Sequence, residues 1–359
     1  MFERTFRRLA RLFRPSRGKE EALLTEIAAQ HARRAWNPGA RFEGDAGLAL
    51  LSERGTAGLV QVKRDAAPEE LPLLLDFVKH GGKLVCLPMY AGVPSERTAP
   101  LLLASGYTSN DPPPAIRSIP SLPLGDMDFH CALARSYPST DGKRWDFVNS
   151  TWAGDIRHKR WDLALALAET LCERHTMALV VYKNRISPED RARLRPWVER
   201  GNLTLFEEAL PKEAFSDVLR HARVGIVHSE WDARPRYLDQ LLLSDVPVLL
   251  NARIYGGQRL VEGGSGEIAR PERLAECARE MLENIARYSG MRERYMERFG
   301  PYNAARRLTR FLNGLLRSRF RTLVPQGFVE FYLSDYIRRH AERWADPGEF
   351  FPDELPKTD

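Results

Sequence analysis

Four stretches of the chain carry residues whose types and spacing could do chemistry. In residues 151–165 (TWAGDIRHKRWDLAL) a small-residue turn runs into a helix whose start holds Arg157, Lys159 and Arg160. Backbone N–H groups at a helix N-terminus favour anions, and basic side chains add to that field. The chemistry would be diphosphate binding; a solvated basic turn accounts for the same residues. In residues 228–251 (HSEWDARPRYLDQLLLSDVPVLLN) acids and bases alternate into a helix: Glu230, Asp232, Arg234, Arg236 and Asp239. Such carboxylates can accept hydrogen bonds from sugar or ribose hydroxyls, or can simply cap the helix. Asp232 and Gln240 are eight residues apart, so they meet only if the turn before the helix folds back. In residues 252–269, Gly256 and Gly257 precede a short helix, and a Gly-Gly turn lets backbone approach a phosphate or sugar closely. An ordinary loop turn is the alternative. In residues 202–229, Glu207 lies in a loop after a strand, where a nucleobase could pack, or where a plain βα loop would run.

Other chemistries find little support. The histidines form no nucleophile triad and no HExxH. His158 and His228 lie in the candidate loops, whereas His31, His80, His175, His221 and His340 read as structural or exposed, and His130 as ambiguous. There is no Walker P-loop and no GxGxxG, so ATPase and Rossmann dehydrogenase readings lose their main support. Cys86, Cys131, Cys172 and Cys277 are too far apart for a disulfide scaffold or a zinc site, which suggests a reducing cytosol.

The elements that must position these residues follow from pattern. A chain of 359 residues, 43% apolar and 28% charged, is globular in composition and long enough for two domains or one large α/β unit. No apolar run approaches the roughly 18 residues of a membrane span. The N-terminus has no continuous apolar core of the secretory kind. Within it, Phe2, Phe6, Leu9 and Phe13 share one helical face among many arginines. This helix would lie on an anionic bilayer or pack its stripe on the protein itself. The net charge of +6 favours anionic partners. The Arg-rich segments at 4–17 and 305–321 are separated, and no RNA-binding motif accompanies them, so a nucleic-acid partner is not expected.

From about residue 45 the pattern is β/α. Two short strands, a helix over PEELPLLLDFVKHGG and the strand KLVCLPM suggest a βαβ unit with parallel strands. The Pro-rich residues 110–126 read as an extended crossing segment or interdomain connection. From Trp145 strands and helices alternate strictly, ending in a helix over ERLAECAREMLENIARYS. That alternation argues for a doubly wound parallel sheet, with ligands beyond the carboxyl ends of its strands. The tail from 301 is helical and basic, then aromatic.

In order, these segments resemble the C-terminal half of GT-B-fold glycosyltransferases, especially retaining family-four enzymes, over about residues 117–290. VPVLLNARIYGGQRLVEGGSGEIARPERLAECAREMLEN is similar to that family's strand, Gly-Gly loop and following helix. HSEWDARPRYLDQLLLSDVPV resembles its acidic E-x7-E stretch; aligned on Pro247, the two acidic positions fall on Asp232 and Gln240. RHKRWDLAL resembles its Lys-Gly-x-Asp helix start, which places the diphosphate-binding lysine on Lys159, with Arg157 the nearest match for the preceding arginine. NLTLFEEALPKEAFSDVLRHARVGIVHS resembles its nucleobase side. The acidic pair here is Asp and Gln, and Gln258-Arg259 stands near the family's Pro-Glu.

The resemblance implies an α/β fold with two Rossmann-like domains, the first one short. The expected organisation is a basic amphipathic segment at 1–36, an acceptor-side domain at 37–125, a nucleotide-sugar domain at 126–300 and C-terminal helices at 301–359. It implies a metal-independent, retaining hexosyltransferase that needs no cofactor and takes a nucleotide-diphosphate sugar as donor. Lys159, Arg157 and Asp232 would act in catalysis, and Gln240, Arg236, Gly256, Gly257 and Glu207 would hold the donor. The acceptor would be a glycan or a lipid-linked sugar of bacterial surface-polysaccharide assembly. The enzyme would be cytoplasmic, meeting an anionic membrane surface through residues 1–17. A non-catalytic GT-B-like module that binds a glycan or a partner enzyme is the alternative, suggested by the short first domain and the substituted acidic motif.

Overall fold

The computed structural model describes residues 48–50, 59–62, 75, 78, 83–88, 94, 97–125, 128, 136–154 and 159–316. The basic amphipathic segment expected at 1–36, Arg157, His158, His130 and the aromatic tail lie outside the described residues. The chain divides into two compact units, residues 1–131 with 301–359, and residues 132–300. Among the described residues no helix is long and apolar enough to cross a membrane.

The first unit holds a five-stranded sheet in the order β1-β2-β3-β4-β5. Its strands are β1 (Leu48–Leu50), β2 (Leu59–Val62), β3 (Lys83–Cys86), β4 (Leu102–Gly106) and β5 (Ser121–Leu122). β1 runs antiparallel to β2, and the other neighbours are parallel. Leu84, Val85, Cys86 and Leu87 are fully buried, as a strand covered on both faces requires. The Pro-rich residues 110–126 include the edge strand β5. The N–H groups of Ser105 on β4 and of Tyr107 just after it donate to the carbonyls of Pro120 and Leu122, each at 3.0 Å, which seats β5 at the edge of the sheet. Proline is tolerated there because an edge strand can leave its outer N–H positions unused. Most of the helix Gly300–Leu316 groups with this unit, and burial of Ala304, Leu308 and Leu312 at four-residue steps gives it one apolar face.

In the second unit strands and helices alternate. They are β6 (Trp145–Trp152), α1 (Trp161–Leu171), β7 (Met177–Lys183), α2 (Pro188–Glu199), β8 (Leu203–Phe206), α3 (Lys212–Arg220), β9 (Ala222–Val227), α4 (Arg236–Leu243), β10 (Val248–Asn251), α5 (Gln258–Val261), β11 (Gly266–Ala269), α6 (Leu274–Glu283) and α7 (Met291–Arg298). The sheet is wholly parallel in the order β11-β10-β9-β6-β7-β8. Counting from β6 as the first strand, this is the 3-2-1-4-5-6 order of a doubly wound nucleotide-binding sheet.

The period-2 pattern of the strands makes two cores. Phe147, Leu179, Val224, Ile226 and Leu249 pack with α1, α2 and α6 on one face. Val148, Ala178, Val180, Val227 and Leu250 pack with α3, α4 and α7 on the other. Local signals mark the ends: the Ser187 hydroxyl accepts the Asp190 N–H at 3.0 Å to open α2, and Gly201 follows that helix at φ +76°.

One strand was not expected and one helix is corrected. β11 was not marked by the sequence pattern, because Gly-Glu-Ile-Ala has little strand character of its own and is set by pairing with β10. A Cβ on Gly266 would come 1.9 Å from the Val248 carbonyl oxygen, so only glycine lets the two strands approach. The single helix expected near 272–289 is instead a 3-10 turn at Pro271–Arg273, α6, and a second 3-10 turn at Ile285–Arg287.

Below the loop that follows β9 lies a buried ion pair. Arg234 and Asp239 are each 1% exposed; Arg234 Nε donates to Asp239 Oδ2 at 3.1 Å, and the Tyr295 hydroxyl donates to Oδ1 at 2.7 Å. Removing one partner of such a pair leaves a buried charge uncompensated. Asp239→Ala should therefore destabilise the protein by about 3–5 kcal/mol. A urea melt in which the variant's midpoint matches wild type would show that the pair does not hold the loop to α4 and α7.

Candidate functional site

β6 and β9 are neighbours in the sheet, yet the chain leaves them toward opposite faces. α1 follows β6 onto one core, and α4 follows β9 onto the other. A crevice opens beyond the carboxyl ends of strands at such a switch point. The residues that enter it come from the two connections: Lys159 and Arg160 after β6, and His228 to Asp232 after β9.

These connections are joined by ions. Lys159 Nζ pairs with Asp232 Oδ2, and the Arg160 guanidinium pairs with Glu230 Oε1. Arg160 also holds Asp162 with a 2.8 Å contact from Nη2, and Arg253 Nη1 stands 3.5 Å from Glu230. The hydrogen bond from Arg160 pulls the Asp162 carboxyl below its ordinary value, and the guanidinium is raised in turn. Arg160 caps α1 in the left-handed conformation at φ +48°, ψ +57°. Trp161 Nε1 donates to Asp190 Oδ2 at 2.8 Å and fixes that helix start on α2. Beside Lys159, the Trp152 ring carries Lys183 Nζ 4.3 Å and Lys159 Nζ 5.5 Å from its centroid, a cation–π arrangement at the end of β6.

Polar groups under the crevice set the end of β9. Asn149 on β6 donates from Nδ2 to His228 Nδ1 at 2.8 Å, which leaves the ring proton on Nε2. Nε2 lies near the Lys159 carbonyl without reaching hydrogen-bond geometry. Burial is the main influence on this ring and pushes its pKa down to about 4, with the Lys159 carbonyl acting in the opposite sense. His228 is therefore neutral at pH 7, a structural member of the site and not a charge for a ligand. Asn251 Nδ2 donates to the His228 carbonyl and the Tyr237 hydroxyl to the Ile226 carbonyl, both at 2.8 Å. The strand end is thus clamped from β6, β10 and α4.

The expected site residues fall into two groups. Lys159 and Asp232 come together, and the third loop joins them, because the Gly256 N–H donates to the Asp232 carbonyl at 3.0 Å. That N–H is therefore already used within the chain. Gly257 takes φ +97° at the start of α5, a conformation that favours glycine, and a Cβ there would stand 2.7 Å from Leu238 Cδ2. Gln240 is nearly buried on α4, and Arg236 is exposed at its first residue. Glu207 stands apart: β8 is the outer strand, separated from β9 by β6 and β7, and Glu207 is held by a bidentate contact from Arg191. Arg157 lies outside the described residues. Asn149 and Arg253 were not singled out as site residues. Arg160 and Glu230 were named in the candidate stretches, but their pairing depends on β6 lying beside β9, which no local pattern reveals. Among the described residues no group of three or more His, Cys, Asp or Glu is placed to hold a metal ion.

No protein-family model matches the chain, and no curated protein matches it. Solved structures do. A mutant of S. aureus TarM in complex with fondaparinux, alpha-GlcNAc-glycerol and UDP is 11% identical, with a TM-score of 0.50 over 70% of this chain and 54% of TarM. The pneumococcal O-GlcNAc transferase GtfA, in complex with UDP and GlcNAc, is 13% identical, with a TM-score of 0.52 over 72% of this chain and 57% of GtfA. The lipopolysaccharide outer core galactosyltransferase WaaB is 10% identical, with a TM-score of 0.51 over 73% of this chain and 75% of WaaB. The chain thus spans little more than half the length of TarM and GtfA. At these identities the likeness is one of fold, and the fold is the α/β GT-B class.

The buried imidazole sets a pH dependence. An unfolded histidine titrates near 6.5 and the folded one at about 4, so below pH 6.5 the unfolded chain takes up a proton that the folded chain refuses. This share of stability is complete above about pH 6.5 and is lost as the pH falls toward 4, by up to about 3 kcal/mol. In urea melts at stepped pH, His228→Gln should lose that share of the slope. A wild-type-minus-variant difference that stays constant from pH 7 to 4 would show that the ring is not held neutral.

Proposed function

We propose that this GT-B chain is a glycosyltransferase that moves a sugar from a nucleotide-diphosphate donor to a glycan or lipid-linked acceptor. The observation that carries the reading is the meeting of Lys159 with Asp232 at the switch point of a 3-2-1-4-5-6 sheet. A cation and a carboxylate within one crevice match the two ends of such a donor. Lys159 would neutralise the diphosphate as it leaves, and Arg160, on the same helix start, would share that charge. Asp232 would accept a hydrogen bond from a sugar hydroxyl. Gln240 would serve a ribose hydroxyl more weakly than a carboxylate does, and Gly257, Arg236 and Glu207 remain candidates on the donor side. Fixed positive groups in a largely desolvated crevice stabilise developing negative charge with little reorganisation, so the reaction would need no metal. Retention of anomeric configuration and hexosyl transfer follow from the family resemblance alone.

The similar structures bear on substrate choice. Two hold UDP, and one is described as a lipopolysaccharide outer core galactosyltransferase. UDP-sugars are therefore the first donors to try, and envelope glycans the first acceptors. A role in surface-polysaccharide assembly agrees with the basic, Phe-bearing residues 1–17, which would bring the enzyme to the inner face of a membrane. A second reading, a binding module without turnover, is supported by the family resemblance, which aligns the neutral Gln240 with a carboxylate position.

A thermal-shift panel of nucleotide-diphosphate sugars tests the donor site. A donor at about 100 times its Kd should stabilise the wild type by about 2.7 kcal/mol, and Lys159→Ala should abolish most of that shift. No shift with any donor at millimolar concentration would sink the donor-binding reading. A Lys159-dependent shift without transfer to any acceptor would favour the binding module.

A further inference from the structure

We infer that Asp232 and Glu230 act as built-in counterions that occupy the diphosphate subsite and must be displaced by the incoming donor, an autoinhibitory contact that rests on the donor reading above. The side chains of Lys159, Asp232 and Glu230 are only 13%, 11% and 10% exposed. At that burial a bound anion cannot sit across a layer of water from the cations; it has to replace what already touches them. Among the described residues, the cations that join these loops are engaged. Lys159 is held by Asp232, Arg160 by Glu230 and Asp162, and Arg253 by Glu230 and Glu272, the last at 3.0 Å. At Lys159, Arg160 and Arg253 an anion therefore meets no uncompensated charge until a carboxylate moves.

The fold confines that movement to side chains. The Asp232 carbonyl accepts the Gly256 N–H at 3.0 Å, and the loop is pinned before residue 229 by Asn251 and after residue 233 by the buried Arg234–Asp239 pair. Between the two carboxylates Trp231 takes φ +57°, a backbone conformation that bulky residues rarely adopt. Rotation of the Asp232 side chain away from Lys159 opens the subsite without unfolding the loop. It also frees the carboxylate to meet a sugar hydroxyl. A nucleoside diphosphate without a sugar bears the cost of breaking the pair and gains nothing from Asp232. The intact donor recovers part of that cost. After transfer, return of Asp232 to Lys159 would help expel the diphosphate product.

The test is calorimetric titration of inorganic pyrophosphate and UDP into wild type, Asp232→Asn and the double variant Lys159→Met/Asp232→Asn, with a thermal melt to confirm that each is folded. Asp232→Asn removes the competing charge while keeping shape. It should bind both probes about tenfold more tightly than wild type, a gain of about 1.4 kcal/mol, and the double variant should lose that gain. Tighter binding by Asp232→Asn with no measurable wild-type binding would also support the inference. Wild-type binding that is unchanged or weakened in Asp232→Asn would overturn it and leave the donor reading standing, as would a gain that persists without Lys159. Binding to none of the three folded proteins would remove the donor reading, and the inference with it.

Discussion

The parallel pairing of β6 with β9 is the constraint on which the rest of the second unit depends. These strands are far apart in sequence, and the chain leaves them toward opposite faces of the sheet. Their carboxyl ends therefore cannot be covered by one crossover, and the loops that follow must face each other. Two charged contacts of the site, Lys159 to Asp232 and Arg160 to Glu230, bridge these two loops. If β9 were paired elsewhere, the same residues would be ordinary surface ions.

Charge and burial act together at this crevice. Exposed ion pairs contribute little because water screens them, and fully buried ones cost nearly as much to desolvate as they return. The site pairs lie between these limits, open enough to exchange partners and covered enough for the exchange to matter. The Arg234–Asp239 pair a few residues on is fully buried and bonded to the Tyr295 hydroxyl. One loop thus carries a permanent ion pair that fixes its course and replaceable ones that can meet a ligand.

Buried polar groups do the positioning. Asn149, His228, Asn251 and Tyr237 tie the end of β9 to β6, β10 and α4, and none presents a charge to the crevice. Leaving such groups without partners inside the protein costs more than each bond returns, so their network specifies one conformation of the strand end. That fixed conformation aims Glu230 and Asp232 at Lys159 and Arg160.

Much of the second unit was legible in the sequence because its elements are defined locally. Alternating apolar runs, the Ser187 cap and Gly201 mark strands and helices through backbone preference and burial alone, and the ordered motifs pointed to Lys159 and Asp232. What failed were features made by neighbours. β11 exists because β10 offers it a partner, and Ser121–Leu122 within the Pro-rich stretch form a strand because β4 lies beside them. The ion pairing of Lys159 with Asp232, the role of Arg160 and Glu230, and the neutrality of His228 belong to the tertiary structure in the same way. Residue type and spacing set which groups are near in the chain. Charge state and partner depend on distance and water exclusion across strands that the sequence separates, and only folding brings those strands together.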